Sequence, residues 1–284
     1  MPTTIVIDQE TMKARGNGGL AAWAGLLIAV CMSPAIAASK PLMAGGTGAA
    51  LGTIKVLAEE YRRQHPGFLL TVMPGMGSSG SIKATTAGLI DFAMVSRGLT
   101  AQERTDGLVA FEYGRTPFVL VTNKKGVANL TVAQLASIIA DPAPTWDDGT
   151  RVNLVLRPAI RDDTELLARF SPAIRNALAV ARQHGGIVRS TSTQESADAS
   201  ERLPGSLGTS TLALLKSEKR ALSVIGIDGV QPTLKNFASG AYPHGKTLAI
   251  VTKGKPNAST QNFIVSDKGR EVLARLGHLA PTTH

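Results

Sequence analysis

Strand-like and helix-like runs alternate along almost the whole chain, and this alternation restricts the possible folds more than any other feature of the sequence. It indicates parallel strands joined by helices, with helices on both faces of the sheet. We therefore expect an α/β protein. The strand-like runs are residues 41–44, 68–73, 92–95, 117–122, 152–156, 222–225 and 246–252.

The helix-like runs carry recognisable start signals. Ser or Thr followed three residues later by Glu or Gln is typical of a helix N-terminus, and this pattern occurs at Thr100, Thr131 and Ser192. Ser171 followed by Pro172 marks a further start. We expect the remaining helices from residue 51 to the His-Pro-Gly stop at 65–67, and over residues 81–87, 164–170, 172–184 and 259–276.

The first 37 residues are typical of an export signal. Two basic residues, Lys13 and Arg15, precede an apolar run at 20–32, and the small-x-small sequence Ala-Ile-Ala follows at 35–37. The apolar run is too short to span a bilayer. We predict a cleaved signal peptide over residues 1–37 and a periplasmic protein, with either Met1 or Met12 as the start.

The cysteine content agrees with that prediction. Cys31 is the single cysteine of the chain and lies inside the signal segment. A chain beginning near Ala38 therefore needs no disulfide, as a protein with a large core does not. Acylation of Cys31 as a lipoprotein is a minor alternative, because Val30 stands where a small residue is required.

Net charge narrows the possible partners. The chain carries +9, and removing residues 1–37 leaves that value unchanged because two basic and two acidic residues go with them. A basic surplus favours anionic partners. Aromatic residues make up only 4% and do not interleave with basic ones, which argues against nucleic acid.

A glycine- and serine-rich loop, TVMPGMGSSGSIKATTAG at residues 71–88, has two interpretations. Its glycines, Gly75, Gly77 and Gly80, match the G-x-G-x-x-G dinucleotide fingerprint, and Arg97 after the next strand could meet a 2′-phosphate. An NADP-dependent oxidoreductase is nevertheless only a remote alternative. The helix after the loop is short, and an exported protein would lie away from the nicotinamide pool.

The second interpretation is a site for a small free anion. Glycines let successive backbone N–H groups point to one place. A helix that begins near Ser81 would add its free N–H groups and its positive dipole end. The hydroxyls of Ser78, Ser79 and Ser81 supply further donors. The simpler alternative is a serine-rich turn that only caps a helix.

Three other strand ends repeat the same chemistry, which favours the anion site. GGTGAALG at 45–52 is a second glycine-rich entry to a helix, and VSRG at 95–98 contains Arg97. In the second half of the chain, LVLRPAIRDDTELL at 154–167 places Arg157 at a strand end and Thr164 at a helix start. Arg157 could instead form a surface ion pair with Asp162 or Asp163.

Patterns of catalytic or metal-binding residues are not found in the sequence. The five histidines are scattered without ligand spacing, and a G-x-S-x-G elbow is missing. We expect no enzymatic activity, no metal and no cofactor.

On these motifs the chain resembles the substrate-binding proteins of phosphate-type ABC transporters, which have the type II periplasmic-binding-protein fold. The resemblance runs from about residue 41 to 279. It depends on GGTG, on GSSGS followed by DFAMVSR, on NLTVAQLASIIAD, on RLPGSLG and on IDGVQPTLKNFASGAYP before LAIVTKGKP. It implies two lobes, each with a sheet flanked by helices, and a hinge between them. We expect lobe 1 to comprise 38–116 with 246–284 and lobe 2 to comprise 117–245.

The resemblance also implies a ligand site and a function. The family's ligand positions fall on Thr47, Gly48, Ser78, Ser79, Ser96, Arg97, Arg157 and Thr164, in the loops chosen above, and Gly80 and Ser81 complete the predicted anion-binding set. The implied function is capture of an oxyanion, inorganic phosphate above all, by a monomer that delivers it to an inner-membrane ABC permease and ATPase.

Because of two departures from the family pattern, the identity of the ligand stays open. Many relatives have an Asp at the third strand end, where this chain has Ser96-Arg97, and IRDDT replaces the usual S-G-T after Arg157. Sulfate, molybdate or a phosphorylated small molecule are alternatives to phosphate, and anion sensing without transport is an alternative to import. Asp91, at the start of that strand, is predicted to be structural.

Overall fold

The computed structural model describes residues 41–157, 162–183, 187–256 and 258–281. The predicted signal peptide, with Met12 and Cys31, lies outside these residues. No helix in the described ranges is long and apolar enough to cross a membrane. The described strands are β1 (Leu42–Gly46), β2 (Leu70–Met73), β3 (Phe92–Val95), β4 (Leu108–Thr122), β5 (Asn129–Leu130), β6 (Asn153–Leu156), β7 (Val188–Arg189), β8 (Ser206–Thr211), β9 (Ser223–Ile227) and β10 (Gly245–Lys253).

Helices connect most of these strands, as the alternation predicted. They are α1 (Gly48–Gln64), α2 (Gly77–Thr86), α3 (Ala101–Thr105), α4 (Val132–Ala140), α5 (Asp162–Ala168), α6 (Pro172–Ala181), α7 (Thr193–Arg202), α8 (Leu212–Ser217), α9 (Leu234–Ala238), α10 (Ala258–Val265) and α11 (Asp267–Arg275). The fold is therefore α/β, with a mixed sheet flanked by helices.

The first half of the sheet has the strand order β2-β1-β3-β10-β4. β1 runs parallel to both β2 and β3, whereas β10 runs antiparallel to β3 and β4. Apolar side chains of β3 and β10 pack with α1, α10 and α11 to form its core. Since the carboxyl ends of β1, β2 and β3 meet at one edge, the loops that follow them lie together, as the sequence predicted.

The second half of the sheet is built on β4, β8, β6 and β7 in that order, with β9 beside β4 and β5. β6 is parallel to β7 and β8, so Arg157 and the start of α7 follow neighbouring parallel strands. Phe118, Trp146 and Ile174 belong to the core of this half.

β4 is the strand that joins the two halves. It pairs with β10 up to Pro117 and with β8 from Phe118 onward. At the same point the Tyr242 hydroxyl donates a hydrogen bond to the Phe118 carbonyl oxygen at 2.8 Å. The fold is the two-lobed one expected. The residue boundaries given above for the lobes stay a prediction.

Most predicted helix starts are confirmed. Thr100 and Thr131 each accept a backbone N–H in the first turn of their helix, and Glu103 and Gln134 complete the two capping boxes. Ser192 caps α7 in the predicted way.

Several predicted boundaries are wrong, and some elements were not predicted. β4 begins at Leu108 and not at residue 117. α2 begins at Gly77 and not near Ser81, so the glycine-rich segment is itself the first turn of the helix. The single helix expected over 259–276 is two helices, because Ser266 caps a new helix, α11. The strand β8 and the helix α8 were not predicted, since β8 is buried along its whole length and, with five of its six residues small or polar, shows no apolar alternation.

Candidate functional site

A pocket of about 160 Å³ lies where the first turns of α1 and α2 face the end of β6 and the first turn of α7. The loops predicted from the sequence thus come together from both halves of the sheet. The lining residues are Gly46, Thr47, Gly48, Gly75, Met76, Gly77, Ser78, Ser79, Arg97, Arg157, Thr191, Ser192, Thr193 and Gln194.

Two of the three helices that begin at this pocket, α1 and α2, are unlike the other helices in one respect. Neither α1 nor α2 has a side-chain cap, although Thr47 stands at the N-cap of α1. Every other helix whose N-cap residue is described has a Ser or Thr that accepts a first-turn N–H. Uncapped first-turn N–H groups and the positive ends of two helix dipoles therefore converge on the pocket.

Two glycines make the entry to α2 possible. Gly75 and Gly77 have φ values of 73° and 63°, in the left-handed region that side chains disfavour. A Cβ at either position would meet no atom within 4 Å, so the requirement is for the backbone conformation and not for space.

Three hydroxyl groups link the strand ends at the base of the pocket. The Ser78 Oγ accepts a hydrogen bond from the Ser96 backbone N–H at 3.1 Å and lies 3.3 Å from the Ser96 Oγ. The Ser96 hydroxyl in turn donates to the Thr47 Oγ1 at 3.5 Å. Thr47 and Ser78 line the pocket, whereas Ser96 does not line it and is linked to it through these hydrogen bonds to Thr47 and Ser78.

Arg97 lines the pocket with its charge already compensated. Its Nη1 and Nη2 atoms donate to the two carboxylate oxygens of Glu103 at 2.9 and 2.7 Å. Its Nη2 also lies 3.3 Å from the Ser79 Oγ. The hydrogen bonds from Arg97 lower the pKa of the Glu103 carboxyl to about 2.

Arg157 contributes the second cation. Its Nη1 donates to Asp163 Oδ2 at 2.7 Å and to Thr193 Oγ1 at 3.3 Å, and its Nη2 donates to the Thr191 carbonyl oxygen at 3.1 Å. The alternative of an ion pair with Asp163 is thus present, but it is not at the surface. The side chain of Arg157 is 10% exposed and that of Asp163 is 2% exposed.

Asp163 also binds a third charged group that the sequence analysis missed. Lys246, at the start of β10, donates from Nζ to the Asp163 Oδ1. Burial alone would raise the pKa of the Asp163 carboxyl, but the charges of Lys246 and Arg157 outweigh that effect and hold the pKa below its ordinary value.

The start of α7 forms one wall of the pocket, and the sequence analysis did not assign it to the site. Four consecutive residues there line the pocket: Thr191, Ser192, Thr193 and Gln194. The signal was available, because Ser192 had been identified as a helix N-cap. It was missed because β7, the strand before it, has only two residues and does not stand out in the sequence.

Four predicted site residues lie outside the pocket lining: Ser96, Gly80, Ser81 and Thr164. Gly80 is inside α2, and the hydroxyl of fully buried Ser81 donates to the Gly77 and Ser78 carbonyl oxygens. Both follow from the earlier start of α2. The Thr164 hydroxyl donates to the Arg157 carbonyl oxygen at 2.8 Å and so braces the strand end. Gly48, by contrast, lines the pocket as predicted.

Asp91 is far from this chemistry, as expected. Its Oδ2 accepts the backbone N–H of Met43 at 2.6 Å, near the start of β1, whereas the pocket lies beyond the other end of that strand. The carboxylate therefore ties β1 to the start of β3.

Comparison with known proteins agrees with the fold. The family model of the PBP superfamily domain matches residues 33–268. The phosphate-binding protein PstS of Bacillus subtilis is 25% identical over 249 residues, which are 83% of this chain and 77% of the relative.

Two solved structures show the same fold. A Clostridium perfringens protein assigned as a phosphate ABC transporter substrate-binding protein, solved with bound phosphate, has a TM-score of 0.68 at 19% identity and covers 86% of this chain and 100% of its own. The periplasmic molybdate-binding protein of Azotobacter vinelandii has a TM-score of 0.59 at 16% identity, and the match covers 85% of this chain and 100% of that protein.

Proposed function

The chain belongs to the PBP superfamily, and we propose that it captures a small oxyanion, inorganic phosphate above all, for an ABC importer. The observation that carries the proposal is the pair of uncapped helices. Thr47 occupies an N-cap without capping, and it lines the pocket. Donors left unused by the protein, in a pocket that also holds two arginines, suit the oxygens of an anion.

The binding mode follows from the two walls. The first turns of α1 and α2 offer backbone N–H groups and the hydroxyls of Thr47, Ser78 and Ser79, and the opposite wall offers Arg157 and the start of α7. An anion that contacts both walls stabilises the closed arrangement by the difference in its contacts between the closed and open states.

Phosphate is the first candidate because the relatives from Bacillus subtilis and Clostridium perfringens are phosphate proteins by name. Sulfate and molybdate are second candidates, and one observation favours them. The described pocket lining contains no Asp or Glu. A carboxylate would accept the proton of hydrogen phosphate and reject sulfate, whereas a hydroxyl both donates and accepts, so it discriminates less.

We infer an exported monomer with residues 1–37 removed, which delivers its anion to an inner-membrane permease and ATPase. We infer no catalysis, because the relatives from Bacillus subtilis and Clostridium perfringens are binding proteins by name. The NADP alternative is disfavoured, because the Arg97 guanidinium, which would have to bind a 2′-phosphate, already donates hydrogen bonds to both carboxylate oxygens of Glu103.

The test places a carboxylate at the uncapped start of α1. In Thr47→Asp the new side chain caps the helix and favours its dipole, so thermal stability should stay equal or rise. The same carboxylate repels a fully ionised anion a few ångströms away by roughly 4 kcal/mol, so affinity for sulfate or molybdate should fall more than about a hundredfold. Affinity for phosphate should also fall, but by less, because hydrogen phosphate can donate its proton to the carboxylate. Calorimetric titration with phosphate, sulfate and molybdate of the protein, freed of ligand by unfolding and refolding, measures this.

Thr233→Asp is the matched control. It places the same carboxylate at the N-cap of α9, which does not line the pocket, and should leave anion affinity unchanged. Unaltered affinity in Thr47→Asp would show that the anion binds elsewhere. Absence of binding by the parent protein to all three anions would refute the proposed function itself.

A further inference from the structure

The cations of the pocket are almost cancelled by carboxylates of the same chain. Arg97 is held by both oxygens of Glu103, and Arg157 is held by Asp163. If these two pairs were the whole arrangement, the side chains at the pocket would offer an anion no net charge. Paired charges attract a third ion far less than a free one does.

Lys246 changes that balance from behind the pocket wall. It does not line the pocket, and its side chain is 1% exposed. Its Nζ binds Asp163 Oδ1, while Arg157 binds Asp163 Oδ2. One carboxylate therefore serves two cations, and the group of Lys246, Asp163 and Arg157 carries a net charge of one positive unit.

The position of Lys246 in the fold is also unusual for a lysine. It lies on β10 opposite Thr116, in the pair of strands that joins the two halves of the sheet. Burying an ammonium group is costly, and replacing a buried ion group with apolar residues often does not reduce stability. Stability is thus a weak reason for a lysine at this position.

We propose that Lys246 is a positioning residue that sets the net charge of the site. It binds one carboxylate oxygen of Asp163, so that part of the positive charge of Arg157 stays available to the bound anion. This inference rests on the proposed function, because it requires that the pocket binds an anion. Lys246 contacts no ligand. It acts through Asp163, from a rigid strand of the scaffold.

Two variants separate this role from a structural one. Lys246→Met leaves Arg157 and Asp163 as a neutral pair, so affinity for phosphate should fall by at least about tenfold. The double variant Asp163→Asn with Lys246→Met restores the single positive unit on Arg157, so its affinity should return to within about threefold of the parent. A lysine needed only for packing would give no such rescue.

Lys253→Met is the matched control on the same strand. Lys253 is exposed and donates to the Thr86 carbonyl oxygen, so its loss should leave affinity within about twofold of the parent. Phosphate affinity of all four proteins is measured by calorimetric titration, with thermal unfolding to show that each is folded.

The outcomes are distinct. Wild-type-like affinity in Lys246→Met, or a double variant weakened as much as the single, overturns the inference while leaving the proposed function intact. If Lys246→Met does not fold, the double variant, which removes the buried carboxylate and the buried ammonium together, must still bind phosphate like the parent, and weaker binding overturns the inference. Failure of the parent to bind phosphate, sulfate and molybdate would instead refute the proposed function.

Discussion

Acidification should destabilise this protein through one buried histidine. His278 follows α11, is 2% exposed, and has its Nε2 3.0 Å from the hydroxyl oxygen of buried Thr53. Burial lowers the pKa of His278 from 6.5 to about 3. The folded protein therefore keeps this imidazole neutral at pH values where the unfolded chain protonates it.

The sign and size of the effect follow from proton linkage. Between pH 6.5 and 3 the unfolded state holds one more proton than the folded state, so the stabilisation is complete above pH 6.5 and is lost as the pH falls. Each pH unit in that window costs about 1.4 kcal/mol. Lowering the pH from 7.5 to 5.0 should thus remove about 2 kcal/mol through His278, out of a total of roughly 5–15 kcal/mol.

Urea unfolding at a series of pH values from 7.5 to 5.0 measures this loss. His278→Gln can still hydrogen-bond Thr53 but does not titrate, so its free energy of unfolding should fall by about 2 kcal/mol less than that of the parent over this range. His65→Gln removes an exposed histidine and should follow the parent curve. Parallel curves for the parent and His278→Gln would refute the reasoning.

Two further predictions concern the pocket. Glu103→Gln removes the carboxylate from Arg97 and should strengthen phosphate affinity several-fold in calorimetric titration; unchanged affinity would mean that Arg97 does not act on the anion. Gly46→Ala should destabilise by about 2–3 kcal/mol in urea unfolding and weaken binding, because its Cβ would lie 2.2 Å from the Met94 carbonyl oxygen. Gly98→Ala meets no atom within 4 Å and should do neither.

The fold could be predicted from the sequence where local signals were strong. Thr100 and Thr131 with their partners marked helix starts correctly, because a capping box is a contact within four residues. The start of α2 was placed too late, because Gly77 was taken for a loop residue when its left-handed backbone in fact opens the helix. The strand β8 was missed because burial on all sides removes the apolar alternation that marks a half-buried strand.

The site was predictable to the extent that it consists of strand ends. Thr47, Ser78 and Arg157 were found because each follows a strand in a pattern that suits anions. Asp163 and Lys246 as a buried pair were not, because they lie far apart in the chain and a lysine in a strand is usually exposed. Only the register of β10 against β4 brings Lys246 to the wall of the pocket.

The position of β10 also determines the order in which the sheet can form during folding. β10 is the last of the described strands, yet it lies between β3 and β4, which precede it by much of the sequence. Until β10 is inserted, those two strands expose unpaired edges, which are templates for aggregation. Such distant pairing is slow. We therefore expect the pocket that Thr47 and Ser78 line to form late in folding, when β10 has joined the sheet.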